Sequence, residues 1–186
     1  EPVVEGCRAP CVRREDGGYR MWMNAAPGPE DAYNTVYANV YEYRSEDGIA
    51  WTRKDRPAVQ ATGKTQSCVY PYVLRLGDTY YMWHIGHLKE PDGPMNKTYF
   101  EIFCDTSKDG SNWTLNHDVP AFAASRDLSR FDWKSVSTPC VVEVDDTLWL
   151  YYAGCNIGSI SFNLFEGGDN GEGLHIALAT VAKDCL

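Results

Sequence analysis

Residues 71–87 read PYVLRLGDTYYMWHIGH, two short runs of β-branched, aliphatic and aromatic residues on either side of a Gly-Asp pair. Each run is too short and too aromatic for a helix, and Gly77-Asp78 is turn chemistry, so the stretch reads as a hairpin. The same text recurs twice. Residues 10–26 are PCVRREDGGYRMWMNAA and residues 139–155 are PCVVEVDDTLWLYYAGC, and all three superimpose without a gap on Pro10, Pro71 and Pro139. Seven residues after the proline stand Gly17, Asp78 and Asp146; twelve after it stand Trp22, Trp83 and Tyr151. A second shared piece follows each hairpin: Tyr43-Arg44-Ser45-Glu46-Asp47-Gly48, then Asp105-Thr106-Ser107-Lys108-Asp109-Gly110, then Thr180-Val181-Ala182-Lys183-Asp184. In the first two copies a tryptophan stands three residues beyond the glycine, at Trp51 and Trp113.

A period of 61 residues (Pro10 to Pro71) and then 68 (Pro71 to Pro139) is a structural repeat. Within each copy the order is strand, tight turn, strand, long loop, strand, Asp-Gly turn, strand. Four antiparallel strands per repeat, arranged radially, is the β-propeller answer to exposed sheet edges. The fold class read from sequence is therefore all-β, a β-propeller of three four-stranded blades spanning about 5–59, 66–122 and 132–186. Residues 1–4 resemble the tail of a fourth strand, because Glu1-Pro2-Val3-Val4 matches Arg56-Pro57-Ala58-Val59 and Val119-Pro120-Ala121-Phe122. The third copy stops where its own fourth strand should begin. Three blades are fewer than propellers use, so an incomplete or self-assembling ring is expected, with homo-oligomerisation as the way to close it.

Composition supports a globular chain: 44% hydrophobic and 13% aromatic residues in 186 positions are enough for a core. A formal charge of −9 argues against nucleic acid or an anionic membrane as partner. No apolar run is long enough to span a bilayer and no signal-like start is visible, so a cytoplasmic location is expected. The seven cysteines lack the spacing of a small disulfide scaffold, and their repeat positions read as buried thiols.

The pattern P-x-V-x(4–6)-G-x-Y-x-M-W-x-x-G followed by A-x-S-x-D-G-x-x-W, clearest in Pro71–Gly86 with Ser107–Trp113, resembles the blades of the five-bladed propeller glycosidases and their relatives. These include arabinanase/xylosidase-like, invertase/levansucrase-like and mannoside-phosphorylase-like proteins. The resemblance implies carbohydrate chemistry at the propeller mouth, with one carboxylate attacking or activating water and another protonating the leaving oxygen. In many such proteins an Asp immediately precedes the blade proline. Here Ala9, Tyr70 and Thr138 hold those positions, and no carboxylate stands within three residues before any of the prolines. The function expected is therefore a carbohydrate-active enzyme of altered chemistry; a noncatalytic sugar-binding propeller and a non-hydrolytic isomerase or cyclase are the alternatives.

If the strand carrying the proline enters from the ligand face, the segments before the prolines and the long loops share one mouth. Asp132 and Glu5, seven and five residues ahead of a proline, are the candidate acid/base pair, and His87 is a third catalytic candidate. Arg8, Tyr70, Ser137, Cys155 and Asn156 are the expected substrate-binding residues, Arg8 as a bidentate clamp or as the partner of Glu5. Tyr33, Tyr70 and Phe162 could stack on sugar faces. His84 and His87, three apart on a strand, point to opposite faces, so His84 reads as a packed blade residue and His87 as lying just past the strand end. A zinc-like set of His87, His175 and Cys155 has no tight ligand spacing. No metal and no cofactor are expected; the ligand is a small molecule or carbohydrate.

Overall fold

A computed structural model describes residues 3–4, 7–25, 38–62, 65–89, 98–155 and 174–185. Glu5, Asn156, Tyr33 and Phe162 lie outside these residues. The described chain forms three antiparallel meanders in which sequence neighbours are spatial neighbours. Blade 1 is β1 (Cys7–Glu15), β2 (Gly18–Ala25), β3 (Asn39–Ser45) and β4 (Thr52–Val59). Blade 2 is β5 (Thr65–Leu76), β6 (Thr79–Lys89), β7 (Thr98–Ser107) and the short β8 (Trp113–Thr114). Blade 3 has three strands, β9 (Ser135–Val144), β10 (Thr147–Cys155) and β11 (Leu174–Ala182), and ends in a 3-10 turn at Lys183–Cys185. No α-helix occurs among the described residues.

The repeated text explains the repeated shape. Each hairpin turns on a left-handed residue within its two-residue turn: Gly17 (φ 88°), and one position earlier in the repeat Gly77 (φ 56°) and Asp145 (φ 51°). Glycine and aspartate are the residues that take this conformation at least cost. The Ser-x-Asp-Gly-x-x-Trp segment is a self-contained hydrogen-bonded corner. Ser45 Oγ accepts from Gly48 N at 2.8 Å, and Asp47 Oδ1 from Ile49 N at 2.8 Å and Ala50 N at 2.9 Å. Trp51 Nε1 donates to Gly48 O at 3.1 Å. Blade 2 repeats each bond: Gly110 N to Ser107 Oγ at 2.8 Å, Ser111 N and Asn112 N to Asp109 Oδ1 at 2.8 Å, Trp113 Nε1 to Gly110 O at 3.1 Å.

Blades stack face to face through equivalent residues. Trp22, Val40 and Val59 of blade 1 meet Cys68, Val73, Tyr80 and Met82 of blade 2. Trp22 also donates Nε1 to Gly110 O at 3.0 Å. One repeat later, Trp83 and Ile102 of blade 2 meet Val136, Val141, Leu148 and Tyr152 of blade 3. Among the described residues, no blade covers the next face in the series. On blade 3, Tyr151 occupies the position of Trp22 and Trp83, yet is 38% exposed where they are 0% and 5%. Around it Cys140, Val142, Ile176 and Leu178 are also exposed, and strand register sets Tyr151 opposite both Cys140 and Leu178. No buried cluster among the described residues joins blade 1 to blade 3.

Val4 packs against Met21, Met23, Tyr41 and Tyr43 on the outer face of blade 1. Val59 packs beside Met82 in the same way on blade 2. The cysteines Cys11, Cys68, Cys104, Cys140, Cys155 and Cys185 keep their thiols, with Cys68 and Cys155 buried.

Candidate functional site

Strand register gathers one set of strand ends. Cys7 faces Ala25, which faces Asn39; Cys68 faces Gly86, which faces Glu101; Ser135 faces Cys155, which faces Leu174. The segments before the three prolines therefore share an end with the long inter-strand connections, as the entry of the first strand requires.

At that end each innermost strand carries the same backbone distortion. Ala9 (φ 51°), Tyr70 (φ 55°) and Thr138 (φ 46°), the residues immediately before Pro10, Pro71 and Pro139, are all left-handed. Register breaks at the same points, between Arg8 and Cys11, between Val69 and Tyr72, and opposite Thr138-Pro139 between Tyr151 and Ala153. A non-glycine residue is unfavourable there, and one preceding proline more so, because the ring pushes its neighbour toward extended backbone. Each costs about 1–3 kcal/mol and is held by the surrounding sheet. These are also the positions at which the propeller glycosidases were expected to carry carboxylates.

Of the expected binding residues, Arg8, Tyr70, Ser137 and Cys155 lie along this end; Asn156 is outside the described residues. Arg8 is exposed and faces Asn24 in register. Asn24, 2% exposed, accepts the Tyr70 N–H on Oδ1 at 3.3 Å. Tyr70 packs on the cluster of Ala38, Val69, Ile85 and Phe100. The His87 ring lies on Phe100 with centroids 4.4 Å apart. Phe100 N donates to Ser135 Oγ at 3.1 Å, and Ser135 pairs in register with Cys155. Ser137 Oγ donates to Ala153 O at 3.5 Å on the same strand pair. Cys155 is 2% exposed and accepts Lys134 N on its carbonyl at 3.2 Å.

His87 differs from its sequence reading. The strand does not end at Gly86: β6 runs to Lys89, and His87 sits within it, 3% exposed. Burial lowers its pKa to about 4, so its imidazole is neutral at physiological pH. As expected, His84 faces the other way, stacked on Phe103.

Asp132 lies beside Gly154, whose added Cβ would come within 2.8 Å of the Asp132 Cβ. Its carboxylate takes a two-point contact from Arg130, Nε to Oδ1 at 3.0 Å and Nη2 to Oδ2 at 3.1 Å. Tyr152 donates its hydroxyl to Oδ2 at 2.9 Å. Arg130 first, then the Tyr152 hydroxyl, holds the Asp132 pKa down at about 2 against the opposing effect of burial. The same contact pushes Tyr152, already raised by burial, up to about 12. Asp132 is thus ionised at neutral pH.

Three further polar residues, not singled out in the sequence, lie at this end. Asn24 carries no repeat signal, since its equivalents are Ile85 and Ala153. Glu101, 8% exposed, pairs with Arg126 at 2.7 Å, and the Arg126 guanidinium lies 4.2 Å from the Tyr99 ring centroid. Lys134, 7% exposed, sits between Asp132 and Ser135.

This arrangement of blades is known from other proteins. A family 117 glycoside hydrolase from the marine bacterium Zobellia galactanivorans superimposes with a TM-score of 0.69 at 17% identity, over 94% of this chain and 52% of that one. A thermostable family-43 glycoside hydrolase gives 0.65 at 16% identity, over 96% and 49%. The fold is that of the glycoside hydrolase propellers. A Bombyx mori GH32 β-fructofuranosidase, a mutant form in complex with sucrose, shares it at 0.59 and 14% identity, over 80% of this chain and 30% of that one. No family model matches the chain. An uncharacterized Mycobacterium tuberculosis protein, Rv1502, is 28% identical over 159 residues, 83% of this chain and 48% of its own length. The chain spans about half the length of the curated relatives it matches.

Proposed function

We propose that this propeller half acts on a glycoside or sugar derivative at the end where Ala9, Tyr70 and Thr138 lie. The observation that carries the reading is the strained pre-proline residue, kept in all three blades at that one end. Strain that the scaffold must stabilise elsewhere clusters at ligand sites. With Ala, Tyr and Thr in place of carboxylates, the chemistry falls to other groups. Neutral His87 is the proton acceptor, ionised Asp132 the electrostatic partner, and Tyr70 the aromatic platform for a sugar face. Arg8, Ser137 and Cys155 complete the set; Glu5 and Asn156 are sequence neighbours of Arg8 and Cys155.

A second reading, sugar binding without turnover, has its own support. Asp132 and Glu101 are both ion-paired to arginines, at 3.0 and 2.7 Å, which suits holding a ligand more than donating a proton. A thermal-shift screen of sugars followed by turnover assays decides between them. Turnover that disappears in His87→Ala or Asp132→Asn supports the first reading. Saturable binding with no turnover supports the second, and a chain that binds no sugar defeats both.

The reading extends to assembly. The exposed face of blade 3 is covered in solution by a blade of the same kind from a second copy. The support is that both preceding faces in the series are buried by the blade that follows them.

A further inference from the structure

On the face of blade 2 that meets blade 1, opposite to that of His87, the side chains of Cys68, His84 and His117 converge around Asp105. Cys68 on β5 is the cross-strand partner of Gly86, two residues from His84 on β6; Asp105 on β7 is the partner of Met82, two residues the other way. The three therefore run diagonally across one sheet face. His117, on the segment after β8, closes over them. Cys68, His84 and Asp105 are 0% exposed and His117 is 4%.

The distances are those of a ligand set. One donor atom each from Cys68, His84 and His117 lies within 4.8 Å of the others. Both histidines point Nε2 at a single oxygen, Asp105 Oδ2, at 2.9 Å from His84 and 3.1 Å from His117. Asp105 Oδ1 is fixed by Asn116 N at 2.7 Å. Thr62 Oγ1 lies 2.8 Å from His117 Nδ1, a contact that orients the ring from behind as outer partners of metal-bound histidines do. His84 Nδ1 is buried without a hydrogen-bond partner, an independent sign that the hydrogen-bond network alone does not satisfy these groups.

We propose that Cys68, His84 and His117, with Asp105 as the outer carboxylate that orients the two rings, form a closed site for a zinc-type divalent cation. One thiolate and two imidazoles are the borderline donor set such ions take, and their burial marks a structural site. Without a cation, burial and the Asp105 charge raise the Cys68 thiol pKa and hold it protonated. A cation reverses that balance, binding the thiolate and releasing one proton. The ion staples the connection between blades 1 and 2, which carries Thr62, to three strands of blade 2. Its role is independent of the sugar site.

Cobalt(II) titration of chelator-stripped protein is the test. One equivalent of cobalt is expected to bind, with tetrahedral d–d bands, a thiolate-to-cobalt charge-transfer band and a raised Tm. The charge-transfer band is lost in Cys68→Ser and kept in Cys140→Ser, which removes an exposed thiol. Thr62→Val, outside the ligand set, weakens affinity by about 10–100-fold. If Cys68→Ser fails to fold, His117→Gln carries the same expectation of lost affinity. No uptake, uptake unchanged in Cys68→Ser or His117→Gln, or a band that follows Cys140 overturns the proposal.

Discussion

Replacing the residue twelve after each blade proline by alanine uses the repeat as its own control. Trp22 is 0% exposed, with Tyr80 and Trp113 rings 6.3 and 6.4 Å from it and the Arg20 guanidinium 4.9 Å from its centroid. An aromatic side chain buries roughly 150–250 Å², which at about 25 cal/mol per Å² is about 4–6 kcal/mol of transfer free energy. Alanine keeps part of that, and the rigid neighbours leave a cavity, so Trp22→Ala should cost about 3–5 kcal/mol. Gly110 O still accepts Trp113 Nε1 at 3.1 Å, so no orphaned carbonyl adds to the loss. Trp83, 5% exposed and stacked on Tyr81 at 5.8 Å, should cost the same. Tyr151, 38% exposed on that face of blade 3, should cost about 1 kcal/mol in the isolated chain, because water already meets one side of it. Urea denaturation followed by far-ultraviolet circular dichroism reads all three, at two protein concentrations. If a second copy covers blade 3, Tyr151→Ala moves toward the tryptophan values and the midpoint rises with concentration. A Trp22→Ala cost below about 1 kcal/mol with an unchanged m-value would refute the blade-to-blade packing argument itself.

His87 should set an acid limit on stability. Its folded pKa of about 4 lies below its ordinary 6.5, so the unfolded chain binds the proton first. Stability is lost as pH falls from about 6.5 to about 4, by about 3 kcal/mol in all. His87→Leu should flatten that window in pH-dependent unfolding, while the loss that begins below the ordinary Asp132 pKa of 3.8 remains; parallel curves for the two proteins would contradict it. Gly86→Ala should destabilise by about 1–3 kcal/mol, since the new Cβ would lie 2.5 Å from the Phe103 ring and 2.9 Å from Thr65 Cγ2. A melting temperature equal to that of the parent would show that Phe103 yields.

The sequence by itself determined the blades. Proline spacing, the Gly/Asp turn and the Ser-x-Asp-Gly-x-x-Trp corner are local, and each acts through bonds within a few residues. So repeated text had to give repeated strands. The alternation of a strand likewise placed His84 and His87 on opposite faces. The end of β6 was not legible in this way. Nothing in Ile85-Gly86-His87-Leu88-Lys89 marks where pairing with β7 stops, and partner register, not propensity, carries His87 into the sheet. The ion pair that ionises Asp132 was hidden for a related reason. Arg130 is two residues away in sequence, but the turn that lets it reach back is closed by Trp133 N on Arg130 O and Ser125 N on Asp132 O.

Tertiary structure alone decided the rest. The left-handed backbone at Ala9, Tyr70 and Thr138 belongs to residue types that do not seek it, so only the sheets around them impose it. Cys68, His84, Asp105 and His117 come from three strands and a connection over 50 residues of sequence (68 to 117), with no short spacing to announce them. Their meeting depends on cross-strand register, a long-range property fixed when the core of blade 2 packs against blade 1.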